Sequence, residues 1–457
     1  MRNKDGKIGI IIVLVLIILT ALAAWFFAIT RHFNLLEFPL FQSDDSEPAV
    51  IPGEVTPPDD GADPDNPDDP DTGDMAHSGQ NGDITAPKEF DINILSIAAE
   101  FPDLFGQLND VASDYNCAAV SLVVYDGDTG DYFTYEYGNA NISESIKVAT
   151  GTKFRIASLS KLVTAICALT LVDEGLIGLD IDVSNYFGYE VKNPHFPDTP
   201  ITARMLMQHT SSIFDSGAFL VSRDNESSES VRYLIERGSS FRRNKPGTLF
   251  EYSNFGYAIL GSLCERVTGK SLDTFAREVI FDPLGIDAAF VPKNLHDTQS
   301  IAVLYDDRHE VIQTVVAQLA VTESDTPGHD LHLAHANLTI SAVDYAKILA
   351  MLGGGGELDG VRILSSELVN QMHDADVDAV SYNQGLATRY SVGDFIAREG
   401  FYWHTGSSHG SFSQNVYKLS PNRGVVVITT GAAVQRLESG MIDVCNDLSK
   451  AAWKVFG

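Results

Sequence analysis

Two hydrophobic rhythms organise the chain after residue 90. In AAVSLVVYD (118–126) and DYFTYEYG (131–138) the apolar and β-branched residues form short runs separated by the turn GDTG, which predicts a strand hairpin. In FRIASLSKLVTAICALTLVDEG (154–175), Leu162, Val163, Ile166, Leu169 and Thr170 follow helical spacing, Ala165 and Ala168 fill between them, and Gly175 is a stop. A helix is expected over Ile92–Gly106, continuing to Tyr115, and others near Thr202–Thr210, Asn254–Val267 (stopped at Gly269) and Ser341–Leu352. Residues 213–245 are polar and irregular. Strands return at Gly400–His404, Gly410–Leu419 and GVVVITTG (424–431), followed by a last helix near Arg436–Val455. Strands at both ends and helices between them predict an α+β domain: one antiparallel sheet assembled from both termini, with a mostly helical lobe inserted. A pocket is expected where the two lobes meet.

The N-terminus follows another pattern. MRNKDGK (1–7) is a basic head, and Ile8–Ile29 is 22 residues without a charge, long enough to span a bilayer as a helix. Arg2, Lys4 and Lys7 favour a cytoplasmic N-terminus with the rest of the chain outside the cell. The rival is a cleaved signal peptide with Ala21-Leu22-Ala23 as its site, but the apolar run continues past it. Residues 30–90 form an acidic, Pro/Asp-rich linker: Ser43–Phe90 holds 14 Asp/Glu against one Lys and cannot bury a core. The expected organisation is therefore 1–7 cytoplasmic head, 8–29 transmembrane anchor, 30–90 disordered linker and 91–457 folded domain. The Asp run lacks the ligand spacing of a calcium loop.

Of the 457 residues 44% are apolar, enough for a substantial core, and the net charge of −31 argues against a nucleic-acid partner. Cys117, Cys167, Cys264 and Cys445 form no C-x-x-C pair, so no zinc or thioredoxin signature is present. Cys167 and Cys264 read as buried thiols. In an oxidising exterior a Cys117–Cys445 bridge would join the first strand to the last helix, and the pairing stays open. His329, His332 and His335 recur every third residue, which spreads them around a helix rather than clustering them on a metal.

Ser158 and Lys161 lie three apart near the start of an apolar helix. A lysine facing a core needs a partner or a depressed pKa, and beside a serine it makes a nucleophile–base pair. The plain alternative is a helix-capping serine with a snorkelling lysine. Two further stretches change the weight. Tyr252-Ser253-Asn254 lies in PGTLFEYSNFGYAILG, and His404-Thr405-Gly406 lies between two predicted strands. Tyr252 also reads as a core aromatic, Asn254 as a helix N-cap and His404 as a sheet-edge histidine. In this order the three stretches resemble the serine β-lactamase and penicillin-binding protein superfamily, which carries S-x-x-K, then S-D-N or Y-x-N, then K-T-G or H-T-G. ITARMLMQHTSSI, the Y-S-N segment and NLTISAVDYAKIL extend the resemblance from Ala118 to the last helix. It is nearest the class C branch with its D,D-peptidase and esterase relatives, and implies a β-lactamase/transpeptidase-like fold.

The resemblance implies roles. Ser158 would attack an acyl carbon, with Lys161 taking its proton. Tyr252 would be general acid/base, and Asn254 would orient Lys161 and hydrogen-bond the substrate amide. The oxyanion would sit between the backbone N–H groups of Ser158 and Ser407. His404, also a catalytic candidate by the resemblance, stands where relatives carry lysine, and it brings no permanent charge near pH 7. Binding of a substrate carboxylate would then lean on Thr405, beside Gly406, and on Arg389, placed by rough position only. Ser212 replaces the glycine of the common H-T-S-G. No cofactor is implied. The expected activity is a membrane-anchored extracellular serine acyl hydrolase, acting on a peptidoglycan-type D-Ala peptide as a D,D-carboxypeptidase-like penicillin-binding protein. The alternatives are a related esterase or β-lactamase, and a non-catalytic sensor of wall fragments or β-lactams.

Overall fold

The computed structural model describes residues 101–224, 231–374, 383–390, 401–437 and 440–456. The anticipated membrane segment 8–29, the linker 30–90 and the first ten residues of the folded domain lie outside them. Among the described residues no helix is long and apolar enough to cross a membrane.

Helix α1 (Leu104–Asp114) is the first described element. The expected start at Ile92 lies outside the described residues, but 101–103 are not helical, because Pro102 cannot sit in a helix interior. Strands β1 (Ala119–Asp126), β2 (Asp131–Asn141) and the short β3 (Ile146–Lys147) follow. The inserted helices include α2 (Ser160–Asp173), α3 (Asn254–Thr268) and α4 (Ala342–Gly353). The chain then returns as β4 (Asn383–Gln384), β5 (Arg389–Tyr390), β6 (Tyr402–Ser408), β7 (Ser411–Lys418) and β8 (Arg423–Thr430), and ends in α5 (Asp443–Trp453). The eight strands form one antiparallel sheet in the order β4-β5-β6-β7-β8-β1-β2-β3. The chain's two halves join at β1 and β8, with register running from Ala119 opposite Thr430 to Asp126 opposite Arg423.

Both faces of the sheet are covered, which is why β1 reads as a continuous apolar run rather than an alternation. Val120, Leu122 and Val124 share one cluster with Val425, Val427, Leu104 and Leu108 of α1, and Val444 and Leu448 of α5. Ala119, Val123, Val426 and Ile428 belong to a second cluster with the inserted helices. Within that layer α2 is buried at every residue from Ser160 to Leu171, as expected of a helix apolar on all sides.

Two sequence expectations need correcting, and one open question is answered. The His404-Thr405-Gly406 stretch lies inside one continuous strand, β6, not between two. The last helix starts at Asp443 rather than Arg436, because Arg436 and Ile442 pair across an antiparallel bridge and Leu437 N–H donates to Met441 O. Cys117 and Cys445 are buried free thiols, as are Cys167 and Cys264, so no disulfide ties the first strand to the last helix.

Candidate active site

Ser158 sits in a tight turn, Ala157–Leu159, immediately before α2. The approach to it is held on both sides. Lys153–Arg155 pairs with Thr339–Ser341. From β7, Ser411 Oγ donates to Arg155 O at 2.6 Å and Ser413 Oγ donates to Ile156 O at 2.7 Å. Ala157 adopts φ +50°, a left-handed conformation that costs energy in a residue with a Cβ. Opposite it, β6 comes so close that a Cβ on Gly406 would stand 2.3 Å from Ile156 O and 3.1 Å from Ser158 N. Glycine is therefore required there by proximity, and the backbone of the third motif is brought against the amide of Ser158.

One turn into α2, Lys161 is wholly buried. Its Nζ donates to Asn254 Oδ1 at 2.8 Å, to His335 O at 2.8 Å and to Ser158 Oγ at 3.2 Å. The first two partners can only accept. The third is a hydroxyl, which can accept from an ammonium or donate to a neutral amine without either group moving. His335 thus enters the site through its carbonyl. Tyr252 OH donates to Ser158 Oγ at 3.0 Å, and Lys161 Nζ lies 4.9 Å from the Tyr252 ring centre.

The cap of α3 is Ser253, whose Oγ accepts from Gly256 N at 2.9 Å, so the N-cap reading of Asn254 is corrected by one residue. Asn254 is left to bridge: its Oδ1 faces Lys161 and its Nδ2 donates to Asp215 Oδ2 at 2.7 Å. The amide orientation follows from Asp215, since a carboxylate only accepts and must therefore face the NH2 of Asn254. Sequence reading missed Asp215, whose link to Asn254 spans 39 residues and leaves no local pattern. It also missed His209, whose ring stacks 4.4 Å from that of Tyr252 and whose Nδ1 accepts from Ser253 N at 3.1 Å. The signal available was the MQHTSSIFD stretch itself. In it Ser212 holds φ +63°, the conformation that a glycine would take without strain, and its Oγ accepts from Asn193 Nδ2 at 2.8 Å.

On β6, His404 is buried. Its backbone N–H donates to Asn415 Oδ1 at 2.6 Å, and its Nδ1 is 2.7 Å from Thr405 O, which fixes the proton on Nδ1. Asn415 Nδ2 donates to Tyr345 OH at 3.0 Å, and that hydroxyl donates to Leu159 O at 3.4 Å, linking the strand to the Ser158 turn through α4. The His404 ring centre is 6.5 Å from that of Tyr252. Thr405 is buried, while Ser407 is exposed at the open end of the strand. Arg389 pairs with Trp403 across β5 and β6, one residue from His404. Its side chain lies outside what the structure describes.

The structure thus brings Ser158, Lys161, Tyr252 and Asn254 into one hydrogen-bonded cluster at the start of two helices, with the β6 backbone alongside. A hydroxyl between an amine and a phenol, next to a strand, is one arrangement able to carry out nucleophilic acyl transfer.

The comparisons with known proteins bear on the family and the fold. Penicillin-binding protein 4 of Amycolatopsis lactamdurans is 27% identical over 333 residues, covering 70% of this chain and 82% of that protein. Penicillin-binding protein 4* of Bacillus subtilis is 30% identical over 160 residues, about a third of either chain. Among solved structures, a class C beta-lactamase from Rhodobacter sphaeroides superimposes with a TM-score of 0.60 at 18% identity, over 78% of this chain and 98% of the other. D-alanine carboxypeptidase AmpC from Burkholderia cenocepacia does so with 0.58 at 17%, over 79% and 99%. The family model described as Beta-lactamase matches residues 101–439, and the chain belongs to that family of serine hydrolases.

Proposed function

We propose that the domain is a serine acyl hydrolase with Ser158 as nucleophile, of the D-alanyl-D-alanine carboxypeptidase-like, penicillin-binding kind. In this reading it is held outside the cell by residues 8–29. One observation carries the chemistry: the buried amine of Lys161 and the hydroxyl of Tyr252 both lie within hydrogen-bond reach of Ser158 Oγ. In the first step Oγ bonds to the acyl carbon and its proton passes to Lys161. The tetrahedral oxyanion is received by the Ser158 and Ser407 amides. Tyr252 delivers a proton to the leaving amine as the C–N bond breaks, and water then releases the acyl group by the reverse transfers. The two penicillin-binding relatives support a site that reacts with penicillin-like acyl groups, and the apolar, basic-headed N-terminus supports the anchor.

His404 favours a second reading. It supplies no permanent cation for a substrate carboxylate, so an ester lacking a carboxylate fits the site without penalty. Intact-mass measurement of the protein with a penicillin, beside Ser158→Ala, tests the reading. A lasting adduct on the wild type alone supports it, and loss of the drug without an adduct points to a β-lactamase. Ester turnover with no D-Ala release from a wall peptide would establish the esterase instead. Protease shaving of intact cells tests the anchor. Digestion of the domain with retention of a membrane-bound N-terminus is expected, and a domain protected from protease would overturn the extracellular placement.

A further inference from the structure

We propose that Asp215 is a positioning residue for acyl transfer at Ser158, acting through Asn254. The inference rests on Ser158 being the nucleophile. Asp215 is partly buried and uses both carboxylate oxygens on the start of α3. Oδ2 accepts from Asn254 Nδ2 at 2.7 Å, while Oδ1 accepts from the Phe255 amide at 2.9 Å and from Ser253 Oγ at 3.3 Å. The second set explains why a carboxylate suits the position, since the exposed amides at a helix N-terminus favour a negative charge.

The first contact has a further effect. A free asparagine amide can turn over at little cost, and either end can face a neighbour. With its NH2 committed to a group that only accepts, Asn254 must present Oδ1 to Lys161. If the amide turned over, its NH2 would face the N–H groups of Lys161 and push Nζ away from Ser158 Oγ, 3.2 Å distant. The helix cap does not depend on this, because Ser253 Oγ still accepts from Gly256 N. In Asp215→Asn one oxygen becomes an NH2, so the residue can no longer accept from both the Phe255 amide and Asn254.

The test is a double-mutant cycle on Ser158 acylation. It uses the full chain, a fluorescent penicillin and a p-nitrophenyl ester, with Ser158→Ala as control and a thermal melt to confirm folding. Asp215→Asn is expected to slow acylation about 10- to 100-fold, the scale on which a displaced reacting group is felt. Asn254→Ala should slow it similarly. The double variant should be no slower than Asn254→Ala, because the two changes break one connection. Wild-type rates in a folded Asp215→Asn protein, or losses that multiply, overturn the proposal. Asp215→Ser, which keeps a short acceptor for the helix amide, replaces Asp215→Asn if the latter does not fold. If neither probe acylates the wild type, the acyl-enzyme reading itself fails, and a crystal structure of Asp215→Asn decides the positioning role separately. An Asn254 amide turned off Lys161 supports it, and an unmoved Lys161–Asn254 contact overturns it.

Discussion

Ala157 carries a conformation that its side chain resists, next to the hydroxyl assigned the chemistry. The φ of +50° is held by the contacts of Arg155, Ile156 and Ser160 on either side of it. Replacing Ala157 by glycine removes the Cβ clash at the cost of a freer unfolded chain. The expected result is a melting temperature within a few degrees of wild type but slower acylation of Ser158, followed by calorimetry and a burst assay. Tyr252→Phe keeps the ring on His209 and loses only the hydroxyl, so acylation should fall by roughly 10²–10⁴-fold while the fold is retained, as single-turnover kinetics would show. Ser158 and Lys161 were legible from spacing and an apolar frame, and Tyr252, Asn254 and His404 from the order of three short motifs. Asp215 and His209 were not, because their partners are brought to them by tertiary packing.

Elements with one dominant rhythm were legible to within a few residues. α2 and α3 have apolar residues on all sides and clear stops, with Gly269 closing α3 in a left-handed turn. The details that failed were set by single residues or distant pairing: the interruption at Pro102, Ser253 in place of Asn254 as cap, the Arg436–Ile442 bridge before α5. The closeness of β6 to the Ser158 turn has no signature beyond one glycine. Gly406→Ala puts a methyl group against Ile156 O and Ser413 Oγ, both at 2.3 Å, and the strand must give way. A loss of about 1–3 kcal/mol in urea unfolding is expected, with acylation falling further than stability explains.

At the scale of the whole molecule, two buried titrating groups oppose one another. Burial pushes the Glu265 carboxyl up to about 7, with nearby Asp330 adding to the shift. It accepts from Leu272 N and Gly328 N. A raised carboxyl holds more protons folded than unfolded, so its contribution is present at low pH and is lost as pH rises through about 4.5 to 7, by roughly 3 kcal/mol at most. Burial lowers the His373 imidazole to about 4, so its contribution is present above pH 6.5 and is lost as pH falls toward 4. Over pH 4.5–6.5 the two slopes counteract each other. In Glu265→Gln the opposing Glu265 slope is removed, and the melting temperature should rise more steeply with pH across that window than it does in the wild type. A variant whose melting temperature follows pH as the wild type does would refute the assignment.

The joining of β1 to β8 also sets an order of events during synthesis. Ser158 is made early, yet Ser411 and Ser413, which hold the strand leading to it, come more than 250 residues later. β8 and α5, which complete the sheet and cover it, come last of all. A chain still emerging from the ribosome or crossing a membrane carries its serine and lysine without the geometry that would make them reactive. The reactivity proposed for Ser158 is thereby deferred until β7 has been made.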